Sequence, residues 1–280
     1  MQDKIINCEL ISQKIKDELK EKINKLKKKP TLAVILVGND KASQIYVKNK
    51  EKACEYIGIN SKKYILEENI QEGDLLDLIN QLNDDNDING ILVQLPLPAH
   101  IDKDKVIKTI SKDKDVDCFH PYNIGLIGSN NSTYLPCTPS GCVEILKKSN
   151  INIQGKHCVI LGRSDIVGKP LTMMMLKENA TVTICHSKTE NLEEITKQAD
   201  ILISAIGVPK FVKANMVKEG VIILDVGINR TENGICGDVD FDDCIRKVSK
   251  ITTVPKGVGL LTVSMLLKNV IDNVKGTSFC

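Results

Sequence analysis

Tryptophan is absent from this 280-residue chain, and aromatic residues make up only 3% of it. So few rings leave few platforms on which bases could stack, and a net charge of +2 gives no excess for gripping a polyanion. Nucleic acid is therefore not expected as a partner. The 10 cysteines contain no C-x-x-C pair, which argues against a zinc framework. A dense disulfide scaffold does not suit a chain this long. Reduced, mostly buried thiols in a cytoplasmic protein fit this usage, and no metal site is expected. No apolar run reaches the roughly 18 residues that span a bilayer, so no membrane is expected either. The opening stretch MQDKIINCELISQKIKDELKEK is an amphipathic helix pattern with acids scattered through it, unlike a signal or transit peptide. The basic run Lys27-Lys28-Lys29 reads as a solvated helix end.

What is present is alternation. Hydrophobic residues at 42% and charged residues at 26% suit a globular chain. Apolar runs at 31–38, 61–68 and 88–98 read as strands, with helical patterns at 42–59, 71–84 and 101–111 between them. The stretch KDVDCFHPYNIG reads as a loop from its Pro, Asn and Gly. The pattern then restarts. A helix at 139–148 leads to strands at 155–162, 180–185, 199–207, 220–227 and 249–255, and a last helix covers 261–274. This order predicts an α/β protein of two domains with mostly parallel sheets. The boundary falls between Phe119 and Cys137.

In the second half, VILGRSDIVGKP places Gly162 and Gly168 where a buried strand turns into a helix. Such a turn lets backbone amides approach a phosphate at a helix N-terminus. The spacing is not the usual G-x-G-x-x-G, and many strand–Gly–helix turns are purely structural. The end of the next strand, TICHSKT, has no acid for a ribose 2′-hydroxyl. It offers Ser187 and Lys188 instead, and one of only three arginines, Arg163, follows Gly162. A guanidinium fork and a hydroxyl suit a 2′-phosphate, which favours NADP over NAD. A surface-loop cap would place Arg163 the same way.

In the first half, a lysine interrupts the helical stripe Ala42, Tyr46, Ala53 and Ile57: Lys50 lies on the same face. Desolvation can make a lysine a usable acid or base. A lysine snorkelling at the helix edge would look the same from this helix alone. Gln94, in the middle of an apolar strand, adds a second anomaly, since a buried amide needs partners and a lysine is a natural one. Asp117, in the loop that ends the first domain, is a third candidate, although an aspartate in a loop often serves as a cap or turn residue.

Taken in order, SQIYVKNK, VQLPLP, KDVDCFHPYNIG, PCTPSG, GRSDIVGKP, CHSKT, DVGIN and GDVDF resemble the motifs of the methylenetetrahydrofolate dehydrogenase/cyclohydrolase family over nearly the whole chain. The resemblance implies a homodimer of two-domain α/β subunits. Residues 1–120, closed by the C-terminal helix 261–280, would form a folate-binding catalytic domain, and residues 121–260 a Rossmann-type NADP-binding domain, with folate in the cleft. It implies that Tyr46 stacks on the folate rings, Lys50 transfers protons in the cyclohydrolase step, Gln94 holds Lys50, and Asp117 hydrogen-bonds the pterin. Gly162, Arg163, Ser164, Ser187 and Ile228 would contact NADP. The implied reaction oxidises 5,10-methylenetetrahydrofolate and hydrolyses the methenyl product to 10-formyltetrahydrofolate. Two rivals are a relative retaining only the dehydrogenase and a non-catalytic NADP- or folate-binding relative.

Four positions depart from the family pattern. Cys118 stands where the family usually has glycine, Thr253 and Leu260 replace prolines, and Lys256 replaces a glycine. Lysine accepts neither a positive φ nor close backbone approach without strain. Lys256 is therefore expected to have an ordinary φ with its side chain turned outward, leaving the special geometry to Gly257 and Gly259.

Overall fold

A computed structural model describes residues 2–129, 131–132, 134–232 and 234–274, without the side chains of Gln2 and Ala42. Packing divides the chain into two compact units, each built from separate stretches. One holds residues 14–135 and the chain from 263 onward; the other holds the residues up to 13 together with 136–262. Both are α/β, with parallel sheets as the alternation predicts.

The first unit begins within α1 (Cys8–Asn24) and continues through β1 (Thr31–Val37), α2 (Lys41–Ile57), β2 (Asn60–Leu66), α3 (Glu72–Asp84), β3 (Gly90–Val93), α4 (Lys103–Thr109) and α5 (Pro121–Gly128). Its sheet has the order β2-β1-β3, with Thr31 opposite Asn60 and Leu32 opposite Gly90. All seven residues of β1 are buried, which explains its unbroken apolar run: a central parallel strand has no face left for water. Helix α2 starts where the Asp40 carboxylate accepts the Ser43 amide at 2.7 Å, and ends at Gly58 in the left-handed region. Helix α3 buries Leu75, Ile79 and Leu82, one face at helical spacing. Its C-terminal end is held by Lys114, whose ammonium donates to the carbonyls of Leu82, Asn83 and Asp85 at 2.9, 2.7 and 2.7 Å.

The second unit contains α6 (Cys137–Lys148), β4 (His157–Leu161), α7 (Gly168–Lys177), β5 (Thr181–Cys185), α8 (Leu192–Thr196), β6 (Ile201–Ser204), β7 (Ile222–Asp225), β8 (Asn229–Thr231), β9 (Gly234–Cys236), α9 (Phe241–Cys244) and β10 (Lys250–Ile251). The chain then enters α10 (Val258–Asp272). The five-stranded sheet runs β10-β7-β6-β4-β5, all parallel, and β8 pairs with β9 as a hairpin. The winding direction reverses at β4. Ligands of open α/β sheets bind outside the carboxyl ends of the strands at such a reversal, and β4 ends immediately before Gly162.

Several expectations need correction. The presumed loop at Pro121 is a helix: proline suits the first helical position, and His120 Nδ1 accepts the Tyr122 amide at 3.1 Å as the cap. The strand expected at 88–98 stops at Val93, and the one at 249–255 shrinks to Lys250–Ile251. The β8–β9 hairpin carries no apolar alternation and was not expected. Residues 275–280 of the expected closing helix, and the side chain of Ala42, lie outside the described residues. Among the described residues the cysteines form no disulfide, and all but Cys236 are buried. No described helix is long and apolar enough to cross a membrane, and no described group of His, Cys, Asp and Glu could hold a metal ion.

Candidate active site

Two groups of candidate residues form, one in each unit. In the first unit, the carboxyl ends of β1 and β3 lie side by side. The Gln94 amide donates to Ile35 O at 2.9 Å, so the ladder fixes this residue one step beyond its strand. Its side chain is then oriented at both ends: Nε2 donates to Leu95 O at 2.7 Å, and Oε1 accepts from Lys50 Nζ at 3.0 Å. The first bond settles which end of the amide faces the lysine. On α2 the buried residues are Ser43, Val47, Cys54 and Ile57, while Tyr46, Lys50 and Ala53 are half-buried beside them. The inward stripe is therefore rotated from the one expected, and Lys50 lies at its border. Burial pushes the neighbouring Cys54 thiol up to about 12, with Lys50 opposing the shift.

Asp117 is half-buried and lines a small hollow with Val93, Leu95 and Phe119, next to the segment that carries Gln94. The loop holding it is organised by Asp115, which sequence reasoning missed. Its buried carboxylate accepts the amides of Phe119 and His120 at 3.1 and 2.8 Å and Asn123 Nδ2 at 2.9 Å. Burial raises its pKa against those bonds. Cys118, on the same loop, has φ +59°. It keeps a glycine-like backbone with a buried thiol that lies 3.5 Å from Tyr134 O.

In the second unit, Gly162, Arg163, Ser164 and Ser187 all border one cavity of about 410 Å³ at the end of β4. The turn is packed to its limit. A Cβ on Gly162 would come within 2.4 Å of Ala205 O, and one on Gly168 within 2.0 Å of Gly162 O. Both glycines are therefore required by the close packing of the turn's own backbone, which no larger residue would allow. Ser164 Oγ accepts the amides of Val167 and Gly168 at 3.2 and 3.4 Å, capping the start of α7 and leaving its hydroxyl hydrogen to donate elsewhere. Arg163 and Ser187 are exposed on the rim, where a guanidinium and a hydroxyl can meet a phosphate. Ile206, Val208, Leu192 and Phe211 supply apolar walls that the motif did not reveal. A glycine turn, apolar walls and a cationic rim fit a dinucleotide. Lys188 and Ile228 do not border this cavity, and Ile228 is 46% exposed.

The loop after β10 overturns the expectation for Lys256. Its φ is +73°, so the lysine occupies the left-handed region itself. Its side chain does point outward, with Nζ 3.1 Å from a carboxylate oxygen of Glu9. Gly257 serves close approach rather than positive φ, since a Cβ there would meet Thr253 O at 2.1 Å. Gly259 has ordinary room, with only Ile228 Cδ1 at 3.6 Å from an added Cβ.

Two family models match the chain. One describes the tetrahydrofolate dehydrogenase/cyclohydrolase catalytic domain, over residues 6–117, and the other the NAD(P)-binding domain of the same enzymes, over residues 136–278. The Bifunctional protein FolD of Agathobacter rectalis is 55% identical over 275 residues, covering 97% of this chain and 99% of that relative. The solved structure of the bifunctional enzyme FolD, methylenetetrahydrofolate dehydrogenase/cyclohydrolase, from Campylobacter jejuni matches with TM-score 0.94 and 51% identity over 96% of this chain and 97% of its own. The Trypanosoma brucei methylenetetrahydrofolate dehydrogenase-cyclohydrolase, solved in complex with NADP cofactor and inhibitor, matches with TM-score 0.91 and 36% identity over 96% of each chain.

Proposed function

Since the chain belongs to the tetrahydrofolate dehydrogenase/cyclohydrolase family, we propose a division of its two reactions among named residues. The enzyme oxidises 5,10-methylenetetrahydrofolate to 5,10-methenyltetrahydrofolate with NADP, then hydrolyses the product to 10-formyltetrahydrofolate. NADP, when bound, accepts the hydride. Everything else falls to the chain.

In the hydrolytic step, water adds to the methenyl carbon and the bond from that carbon to N5 opens. Both protons of that water must leave its oxygen, one reaching N5 and the other released to solvent. Lys50 is the group proposed to relay protons in this step. Gln94 directs a carbonyl oxygen at Nζ from 3.0 Å, which fixes the amine's position and leaves its remaining hydrogens for substrate. This hydrogen bond is the observation that carries the reading, because a merely snorkelling lysine needs no oriented amide. Tyr46, one turn before Lys50, is the proposed stacking partner of the folate rings, and Asp117 the proposed hydrogen-bond partner of the pterin. Gly162, Arg163, Ser164, Ser187 and Ile228 are the proposed NADP contacts, with Arg163 and Ser187 reading the 2′-phosphate.

In this reading residues 1–120, closed by the C-terminal segment 261–280, handle folate, and residues 121–260 handle NADP. The order of the two family models supports that assignment. The family resemblance also supports a homodimer working in the cytoplasm, and light scattering of the purified protein tests the first of these. The activity test is spectroscopic. Protein mixed with methylenetetrahydrofolate and NADP should produce NADPH absorbance, and the methenyl signal should then decay. NADPH without accelerated methenyl decay would leave a dehydrogenase alone, and no NADPH would leave a binding protein.

A further inference from the structure

Within the GDVDF stretch, the second unit contains a buried carboxylate with an unusual number of donors. Asp238 is 0% exposed. Its Oδ2 accepts Ser204 Oγ at 3.2 Å and the amides of Ile206 and Gly207 at 2.8 and 3.2 Å. Its Oδ1 accepts the Val208 amide at 3.0 Å and Asn229 Nδ2 at 2.9 Å. Three successive backbone amides thus converge on one side chain, an arrangement that ordinarily makes an anion-binding concavity. Here the anion belongs to the protein.

The position of that loop matters. Ala205, Ile206 and Val208 form part of the wall of the dinucleotide cavity. Ala205 O is also the atom against which Gly162 packs. Through Asn229 the same carboxylate holds the residue after Ile228. Asp238 is itself held from behind: its own amide donates to Asp225 Oδ1 at 3.0 Å, and the Val239 amide to Asp225 Oδ2 at 2.9 Å. Gly227 leaves room for the knot, since a Cβ there would lie 2.0 Å from Asp238 Oδ1.

We infer that Asp238 is a positioning residue for NADP, its carboxylate shaping from beneath the 205–208 wall and the 228–229 segment into the form that receives the cofactor. This rests on the reading of that cavity as the NADP site. A carboxylate is required because every group facing it is a donor. An amide in its place would turn an NH₂ toward one set of those donors and leave them without an acceptor.

The test compares the parent with Asp238→Asn, using three readouts: NADP affinity by titration calorimetry, hydrogen exchange of the cofactor-free protein, and hydrolysis of added methenyltetrahydrofolate without NADP. The expected result is an NADP Kd raised about tenfold or more. Exchange at Ile206, Gly207 and Val208 should be faster, and hydrolysis should stay within about twofold of the parent. A purely structural role would instead lower all functions together. Asn229→Ala removes a single donor and guards against loss of folding; it should raise the NADP Kd about threefold. An NADP Kd equal to the parent's in a folded Asp238→Asn protein overturns the inference, as does an unchanged Kd in Asn229→Ala if the first variant does not fold. A parent that fails to bind NADP overturns the cavity reading itself, and the inference with it.

Discussion

Lys50 Nζ donates to Gln94 Oε1 across 3.0 Å, and the Gln94 amide is tied in turn to Leu95 O and Ile35 O. The lysine is thus anchored to the carboxyl end of a buried strand rather than left to wander at a helix edge. Lys50→Met keeps the apolar stem and removes the amine. It should lower cyclohydrolase turnover by roughly 10² or more, the loss typical of a missing general acid or base. Hydride transfer needs no such group, so NADPH should still form and methenyl product accumulate. Unchanged hydrolysis of added methenyltetrahydrofolate by the variant would rule the role out.

Arg163 and Ser187 share the rim of one cavity. If they read the 2′-phosphate, Arg163→Ala should weaken NADP by roughly tenfold or more while barely altering NAD, because only NADP loses a charge-assisted hydrogen bond. Parallel KM measurements with both cofactors decide it. An equal loss for the two would show that the guanidinium serves the turn and not the phosphate.

Lys256 and Cys118 both sit at positive φ. For Lys256 the left-handed backbone costs roughly 1–2 kcal/mol, partly offset in a glycine variant by the roughly 0.5–1 kcal/mol of extra unfolded-state freedom. The exposed pair with Glu9 contributes little. Lys256→Gly should therefore raise stability by about 0.5–1 kcal/mol in urea unfolding. A fall in stability would mean that the Glu9 pair outweighs the backbone strain.

How much of this was legible in the sequence depends on where the information lies. β1 could be read directly because a central parallel strand must be apolar throughout. Lys50 and Gln94 could be found because each breaks an apolar pattern. Helix α5 was hidden because its proline, asparagine and glycine are turn formers whose meaning changes once His120 caps them. The φ of Lys256 was misjudged because residue type constrains a backbone only statistically, and the neighbouring glycine is needed for another reason. Asp238 was invisible as a special group: in GDVDFDD it is one acid among several, and only the fold decides which of them faces the loop amides.

Burial, together with the charge of Asp238, pushes the Asp225 carboxyl up to about 6 despite amide bonds from Val239, Asp238 and Gly227. Its unfolded value is about 3.9, so the folded chain binds this proton more tightly. The resulting stabilisation is complete below about pH 4 and disappears as pH rises through about 6, on the order of 3 kcal/mol. Asp115 is also raised by burial and acts with the same sign. Glu72, Asp87, Asp102 and Asp200 are lowered, and their stabilisation is lost only as pH falls below the usual carboxylate range. Urea midpoints at pH 4.5 and pH 7 should therefore show a decline that is smaller in Asp225→Asn. An identical decline in parent and variant would remove Asp225 as its source.

Lys114 gives its ammonium to three carbonyls at the end of α3. Lys114→Met leaves those acceptors without a cation at a helix C-terminus, and should destabilise the protein by about 2–3 kcal/mol. NADP affinity should not change. Thermal unfolding and calorimetry of the same preparation check both statements, and a variant of parental stability would reduce the lysine to a surface group.

Each compact unit is assembled from two distant stretches, and this sets a constraint on the order of synthesis. Asn269 on α10 donates to Val116 O and Leu135 O, both at 2.8 Å. The unit that contributes residues 14–135 therefore lacks part of its internal bonding until residues beyond 263 have left the ribosome. The other unit is bracketed in the opposite sense. Ile6 donates its amide to Ile251 O at 2.8 Å, so this segment must wait for a partner made some 245 residues later. Neither half is available as a simple excised fragment, and during translation the early half stands incomplete while the later one is made. In a chain organised in this way the two units are completed almost together, once residues 251 and 269 have both been made.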